Sequence, residues 1–428
     1  MTPKKIMTGW KRLHSLQETA RQLFLSGVLI HNPENIYYFT SVYPHEPSFL
    51  IVPPDSEPEL VAARSVYAEA LKDCLVPVIP GDMDIAETAW QSLLAKKIIR
   101  PPAETIMLDF FRKIVQGPLG IEENYLSVYL LKKFHIRSHM DISPVIMEFR
   151  SVKDGFEIEH IKKACRIADQ SMQEVKKAIR PGISERELSG IFDAKAKSLG
   201  ADETKCRVRA GENTALPFSR WMDGSLEEGP VLIDYGTRVR GYWSDITRVF
   251  YLGEPSEEFL KLYDIVLEAR DKALVTMRQG ESLYGPEEVI RTIFREKGYE
   301  KNMIYAAGHG IGLEVHETPI LTLSPSEQEL SDEDLRGVDS GRKSLVREEA
   351  PDKSDLEKAF GSSSSIFIPV PSGIDEGPVF RRNQVFALEP GIYLDNLGVR
   401  IEDMVLVGEK PSLLSSFSTE LGDIIIRL

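Results

Sequence analysis

This sequence predicts two mixed domains, a small α/β unit followed by a larger α+β unit with an internal twofold echo, and three observations support that reading. The 428 residues, 42% of them hydrophobic, are too many for one ordinary core and enough for two. Short apolar runs alternate with polar or helical stretches only as far as about Ser143, after which a different pattern begins. Within the second part, RPGISERELSGIFDAKAKSLG from Arg180 and RQGESLYGPEEVIRTIFREKG from Arg278 share a design: a glycine turn, a helix containing Ile-Phe, and a terminal glycine. A turn followed by an amphipathic helix also arises by chance; a true duplication would give this domain pseudo-twofold symmetry.

The first domain spans residues 1–148. A helical pattern runs from Leu16 to about Leu25, and GVLIHN, FLIVPP, ELVAA and TIMLDF then recur as strand-like runs. The second domain, 149–428, opens with one long amphipathic helix. Ile158, Ile161, Cys165, Ala168, Met172, Val175 and Ile179 alternate spacings of three and four and mark its buried stripe. Arg180-Pro181-Gly182 stops that helix, Ser184 with Glu187 forms a capping box for the next, and Gly200 ends it. The runs VLIDYGTRV, YWSDITRVFYL, QVFALEPGIYL and VRIEDMVLVG are rich in β-branched and aromatic residues and read as strands. Residues from about 324 to 365 are dense in Ser, Asp, Glu and Lys with little periodicity, and read as an insertion, either a solvated excursion or a lid.

Charge excludes some partners. With 52 basic against 66 acidic residues and a formal net charge of -14, the chain repels phosphate backbones and anionic headgroups, so neither nucleic acid nor membrane is expected. Cys74, Cys165 and Cys206 are odd in number and far apart, which implies reduced thiols and a cytoplasmic setting. Charge breaks every apolar run of the N-terminus, so no signal-peptide core is expected there.

Acids inside apolar strands carry the chemical signal. A carboxylate there is costly unless it is paired, and several that converge are tolerable once a cation neutralises their repulsion. Asp234 follows Val231-Leu232-Ile233 directly, and Glu389 follows Phe386-Ala387-Leu388. Asp245 in WSDITRVF and Glu402 in VRIEDMVLV repeat the situation. Singly each could be a strand-end acid or half of an ion pair; four in one domain point to a metal site. His309 and His316 are the only histidines beyond residue 160 and share one glycine-rich run, whose glycines allow close approach to a ligand or another strand.

These motifs in combination resemble the pita-bread-fold metallopeptidases, close to Xaa-Pro aminopeptidases and prolidases. The shared features are two Asp eleven residues apart, the run from Gly308 to Glu317, a Glu in Glu-Pro-Gly-Ile-Tyr and a final Glu in Arg-Ile-Glu-Asp. The first 140 or so residues resemble the creatinase-type N-terminal domain of those enzymes. The resemblance implies a pita-bread catalytic domain and two divalent metal ions, manganese foremost with cobalt, zinc or iron as alternatives. It makes Asp234 and Glu402 bridging or bidentate ligands, with Asp245, His309 and Glu389 completing the set. Glu389 would also be the general base, His316 would bind substrate or the tetrahedral intermediate, and Arg400 would support the last ligand. The implied activity is hydrolysis of the bond between an N-terminal residue and proline, and the implied assembly is a homodimer.

Two positions depart from the pattern. Relatives usually place histidines where this chain has Phe218, in GENTALPF, and Tyr305, four residues before His309. Phenylalanine donates no hydrogen bond and tyrosine donates through a longer, differently placed group. Phe218 reads as either a substrate contact or a core residue. The altered shell leaves three readings open: an Xaa-Pro peptidase, a hydrolase or lyase of a non-peptide small molecule, and a catalytically silent binding homologue. Buried carboxylates with nothing to neutralise them weigh against the last, and against a metal-free amidinohydrolase.

Overall fold

The computed structural model describes residues 3–81, 117–219, 223–324 and 377–428. The opening helix, α1 (Pro3–Gln22), starts earlier and ends sooner than the stretch the sequence marks as helical. Its stripe already includes Leu13, Leu16 and Ala20, all fully buried. It stops before Phe24, whose φ of 54° no helix accommodates.

The first unit continues with β1 (Gly27–Ile30), α2 (Pro33–Thr40), β2 (Phe49–Val52), β3 (Glu59–Ala63), α3 (Arg64–Asp73), β4 (Val78–Gly81), β5 (Leu119–Ile121), α4 (Val128–Lys133), β6 (His139–Asp141) and α5 (Ser143–Ser151). Its strands form one mixed sheet in the order β4-β3-β2-β1-β5-β6. The runs GVLIHN, FLIVPP and ELVAA supply β1, β2 and β3; TIMLDF lies outside the described residues. Val28, Ile30, Leu50 and Val52 pack into the main core, while Leu29, Phe49 and Ile51 pack into a smaller cluster on the other face. Apolar cover on both faces explains why these strands read as continuous rather than alternating apolar runs.

The second unit begins with α6 (Gly155–Ala178), opened by a capping box between Asp154 and Glu157. Ser184 and Glu187 form the capping box of α7 (Glu185–Ser198), and Gly182 and Gly200 take the positive φ values of 81° and 96° that the adjoining turns require. Then come β7 (Glu203–Ala210), β8 (Gly229–Val239), β9 (Tyr242–Trp243), β10 (Ile246–Leu252), α8 (Glu257–Thr276), α9 (Gly285–Glu296), β11 (Gly308–Gly310) and β12 (Glu317–Leu321). The chain ends through β13 (Val385–Leu388), β14 (Gly391–Tyr393), β15 (Gly398–Arg400), β16 (Asp403–Leu406), β17 (Ser412–Leu413) and β18 (Ile425–Ile426).

Two sheets result, β18-β10-β8-β7 with β9 on β8, and β12-β11-β13-β16-β17; β14 pairs with β15 apart from them. The echoing stretches hold α7 and α9, each the second member of a packed helix pair, α6 with α7 and α8 with α9. Backbone bonds between Thr247 and Glu402 tie the start of β10 to the turn between β15 and β16. That seam between the sheets is where the candidate site forms. The insertion expected near 324–365 lies, beyond Ser324, outside the described residues. Cys74, Cys165 and Cys206 are free thiols, and among the described residues no helix is long and apolar enough to cross a membrane.

Candidate metal centre

Asp234 is the one acid of the set that lies inside a strand, on β8. The other three stand where strands are interrupted: Asp245 between β9 and β10, Glu389 directly after β13, Glu402 between β15 and β16. An interruption frees a side chain from the alternation of the sheet, so an acid can turn into the seam without flipping its neighbours. His309 is the middle residue of β11. A Cβ on Gly308 would stand 2.0 Å from the Ala387 carbonyl oxygen and one on Gly310 2.8 Å from that of Thr318, so these glycines serve close strand packing. His309 Nδ1 donates to the Gly310 carbonyl at 3.0 Å, which leaves Nε2 facing Glu389 Oε1 at 3.5 Å.

The side chains converge. Donor atoms lie within 4.8 Å of one another in three overlapping groups: Asp245 with His309 and His316, His309 with Glu389 and Glu402, and Asp234 with Asp245 and Glu402. Asp234, Asp245, His309 and Glu402 are buried, Glu389 is partly buried and His316 is exposed, its ring centroid 4.3 Å from that of His309.

A cationic and aromatic layer surrounds them. Arg400 donates to Asp234 Oδ2 at 2.8 Å and to Thr247 Oγ1 at 2.8 Å. Thr247 in turn donates to Glu402 Oε2 at 2.6 Å. Arg400 therefore touches the first acid directly and reaches the last, which the resemblance has it support, through Thr247. Tyr305 is bonded hydroxyl to hydroxyl with Tyr393 at 2.6 Å, and Phe218 meets the Tyr305 ring edge to face at 5.4 Å between centroids. Phe218 is 60% exposed, which excludes the core alternative.

Sequence reading missed Lys205. Its ammonium lies 3.1 and 3.0 Å from the two carboxylate oxygens of Asp245 and 3.2 Å from Asp234 Oδ1. The available signal was the period-two placing of Lys205, Arg207 and Arg209 on β7, which puts three cations on one strand face. Arg207 pairs across the ladder with Asp234 and stands 3.9 Å from it, while Arg209 donates to the Leu216 and Ser219 carbonyls of the loop that carries Phe218.

Electrostatics separate the acids. Burial would raise the Asp234 pKa, but Lys205, Arg400 and Arg207 hold it at about 2. Burial lifts Glu389 to about 8, with Arg400 opposing and the charges of Asp245 and Asp234 adding. Glu402 is pushed well above the carboxylate range by burial, then by Asp245 and Glu389. Burial lowers His309 to about 4 and His316 below its ordinary value, so both imidazoles stay neutral lone-pair donors at pH 7. Neutral imidazole beside carboxylates that cannot all ionise without added positive charge is a donor set that fits divalent cations.

The chain is similar to known proteins over nearly its whole length. A model of metallopeptidase family M24 matches residues 159–409, and one of the creatinase/prolidase N-terminal domain matches 12–152. The chain is 29% identical over 409 residues to an Xaa-Pro dipeptidase of Pyrococcus furiosus, covering 93% of this chain and 95% of that one. The solved prolidase of Pyrococcus horikoshii superposes with a TM-score of 0.74 at 25% identity, covering 96% of this chain and 99% of that one. A recombinant prolidase from Thermococcus sibiricus gives a TM-score of 0.76 at 26% identity over 97% and 98%. Because the catalytic-domain match takes in more than half of the sequence, this two-domain enzyme belongs to metallopeptidase family M24.

Proposed function

We propose that the chain hydrolyses the bond between an N-terminal residue and proline, as an Xaa-Pro dipeptidase or aminopeptidase. Asp234, Asp245, His309, Glu389 and Glu402 would hold two divalent ions. The observation that carries the reading is the meeting of those five donors at the seam between the sheets. It is supported by relatives named Xaa-Pro dipeptidase and prolidase over nearly the whole chain.

Divalent ions held there would lower the pKa of an attacking water and polarise the scissile carbonyl; an oxygen-rich set with one imidazole suits manganese first, with cobalt, zinc or iron as alternatives. Glu389 lies at the edge of the cluster and, with positive charge beside it, can take a proton from water and return it to the departing amine. His316, exposed and neutral, can donate to the oxygen that gains charge during attack. The Phe218 and Tyr305 rings offer an apolar edge for the proline ring.

A second reading, a non-peptide small molecule as substrate, is favoured by Phe218 and Tyr305 themselves, since neither side chain replaces an imidazole donor. Rates on Ala-Pro, an Ala-Pro-peptide and Ala-Ala with added manganese, cobalt or zinc test both. Metal-dependent cleavage confined to the proline substrates is expected. Equal rates on Ala-Ala would remove the proline specificity, and inertness on all three beside turnover of a small-molecule panel would establish the second reading.

A further inference from the structure

Lys205 places a positive charge inside the donor set. Its ammonium is within 3.2 Å of both Asp234 and Asp245, two of the three members of one donor group, Asp234 with Asp245 and Glu402. The group His309, Glu389 and Glu402 contains neither partner of Lys205. We infer that Lys205 occupies one of the two cation positions: a first divalent ion binds at the His309, Glu389 and Glu402 end, and a second enters between Asp234 and Asp245 only as Lys205 is displaced. The inference rests on the five-donor assignment proposed above.

Charge and mobility both support it. Asp234, Asp245, Glu389 and Glu402 carry four negative charges when all are ionised; Lys205 and Arg400 supply two positive charges and one divalent ion supplies the other two, while Arg207, 45% exposed and 3.9 Å from Asp234, adds further positive charge from the rim. A second ion with Lys205 still in place would leave at least two uncompensated positive charges in a buried cluster, and like charges so close are disfavoured. Arg400 is pinned, since it bonds Asp234, Thr247 and Tyr393 and its side chain is 2% exposed. Lys205 is not: among the described residues its ammonium's partners are the two aspartates, and its side chain is 19% exposed on a flexible four-carbon stem. Displacement into solvent is therefore open to Lys205 and closed to Arg400.

The test is calorimetric titration of the chelator-treated full-length protein with Mn2+, on wild type, Lys205→Met and Lys205→Gln, with bound metal counted after gel filtration and a melting curve for each. Wild type should show one strong binding step and a second roughly tenfold weaker or more, and both variants should tighten the second step by about the same factor while leaving the first unchanged. Two steps of equal strength in wild type would overturn the inference without recourse to any variant. Weaker binding in folded variants would also overturn it, since Lys205 would then be supporting the aspartates rather than competing for them. No substrate enters the titration, so a protein that shows the two unequal steps yet leaves Xaa-Pro peptides intact would refute the functional proposal alone.

Discussion

Glu317 offers a quantitative prediction, because it joins the loop that carries His316 to the junction between the two units. It is the first residue of β12, next to His316, and is buried with Arg150 Nη2 on one oxygen and Lys153 Nζ at 3.2 Å from the other. The backbone N–H of Glu314 donates to it at 3.1 Å, and Arg150, at the end of α5, also donates to Asn35 of α2 at 2.7 Å. Burial would raise the Glu317 pKa, but Arg150 and Lys153 overcome it and hold the value at about 2 against an ordinary 4.5. That difference, at 1.36 kcal/mol per pH unit, is about 3 kcal/mol, close to the ~3–5 kcal/mol expected when one partner of a buried pair is removed. The folded pKa is depressed, so this stability is fully present above about pH 4.5 and is lost as pH falls towards about 2. Glu317→Gln should lower the melting temperature at pH 7 by roughly 6–12 °C, at about 2–4 °C per kcal/mol for a unit of this size. The gap to wild type should close as pH falls through that window. Calorimetry at a series of pH values measures both effects. A variant melting within about 2 °C of wild type at pH 7, or a gap independent of pH, would refute the argument.

Three further outcomes follow from the site. Asp234→Asn and Glu402→Gln each remove a charged donor at nearly constant volume, so both should fold and lose bound metal; normal metal content in both would remove these residues from the site. His316→Ala should keep its metal and lose turnover by about a hundredfold, the order expected for one donor to a developing oxyanion, whereas loss of metal would assign His316 a ligand's role. Phe218→His, at an exposed position against Tyr305, should leave the melting temperature nearly unchanged and raise Xaa-Pro turnover by about one to two orders of magnitude if the new donor serves the transition state. Unchanged kinetics would show that the substrate does not pass over this ring.

The five candidate donors were legible because each breaks a local rule. An aspartate after Val-Leu-Ile, a glutamate after Phe-Ala-Leu and a histidine between glycines are costly or unusual within their own few residues. The capping boxes at Asp154 and Ser184 are equally local, and the second is visible as Ser-x-x-Glu. Lys205 breaks no such rule. A lysine in the run ETKCRVRA is unremarked until β7 is laid against β8, where Arg207 falls opposite Asp234 and Lys205 two residues away on the same face. Register between strands separated by a long loop is a tertiary fact, so the period-two cations are visible in the sequence but the aspartates they face enter view only with the fold. Thr247 is hidden for the same reason, since its role depends on the bridge to Glu402 that brings the two sheets together. The asymmetry has a chemical consequence if Lys205 competes for a cation position as inferred: sequence motifs announce the negative charge of the candidate site, while the counter-charge that would set how many ions it accepts comes from elsewhere in the sheet. Two relatives with identical acidic motifs would then differ in metal occupancy through the residue at the Lys205 position, which counting bound metal in each would show.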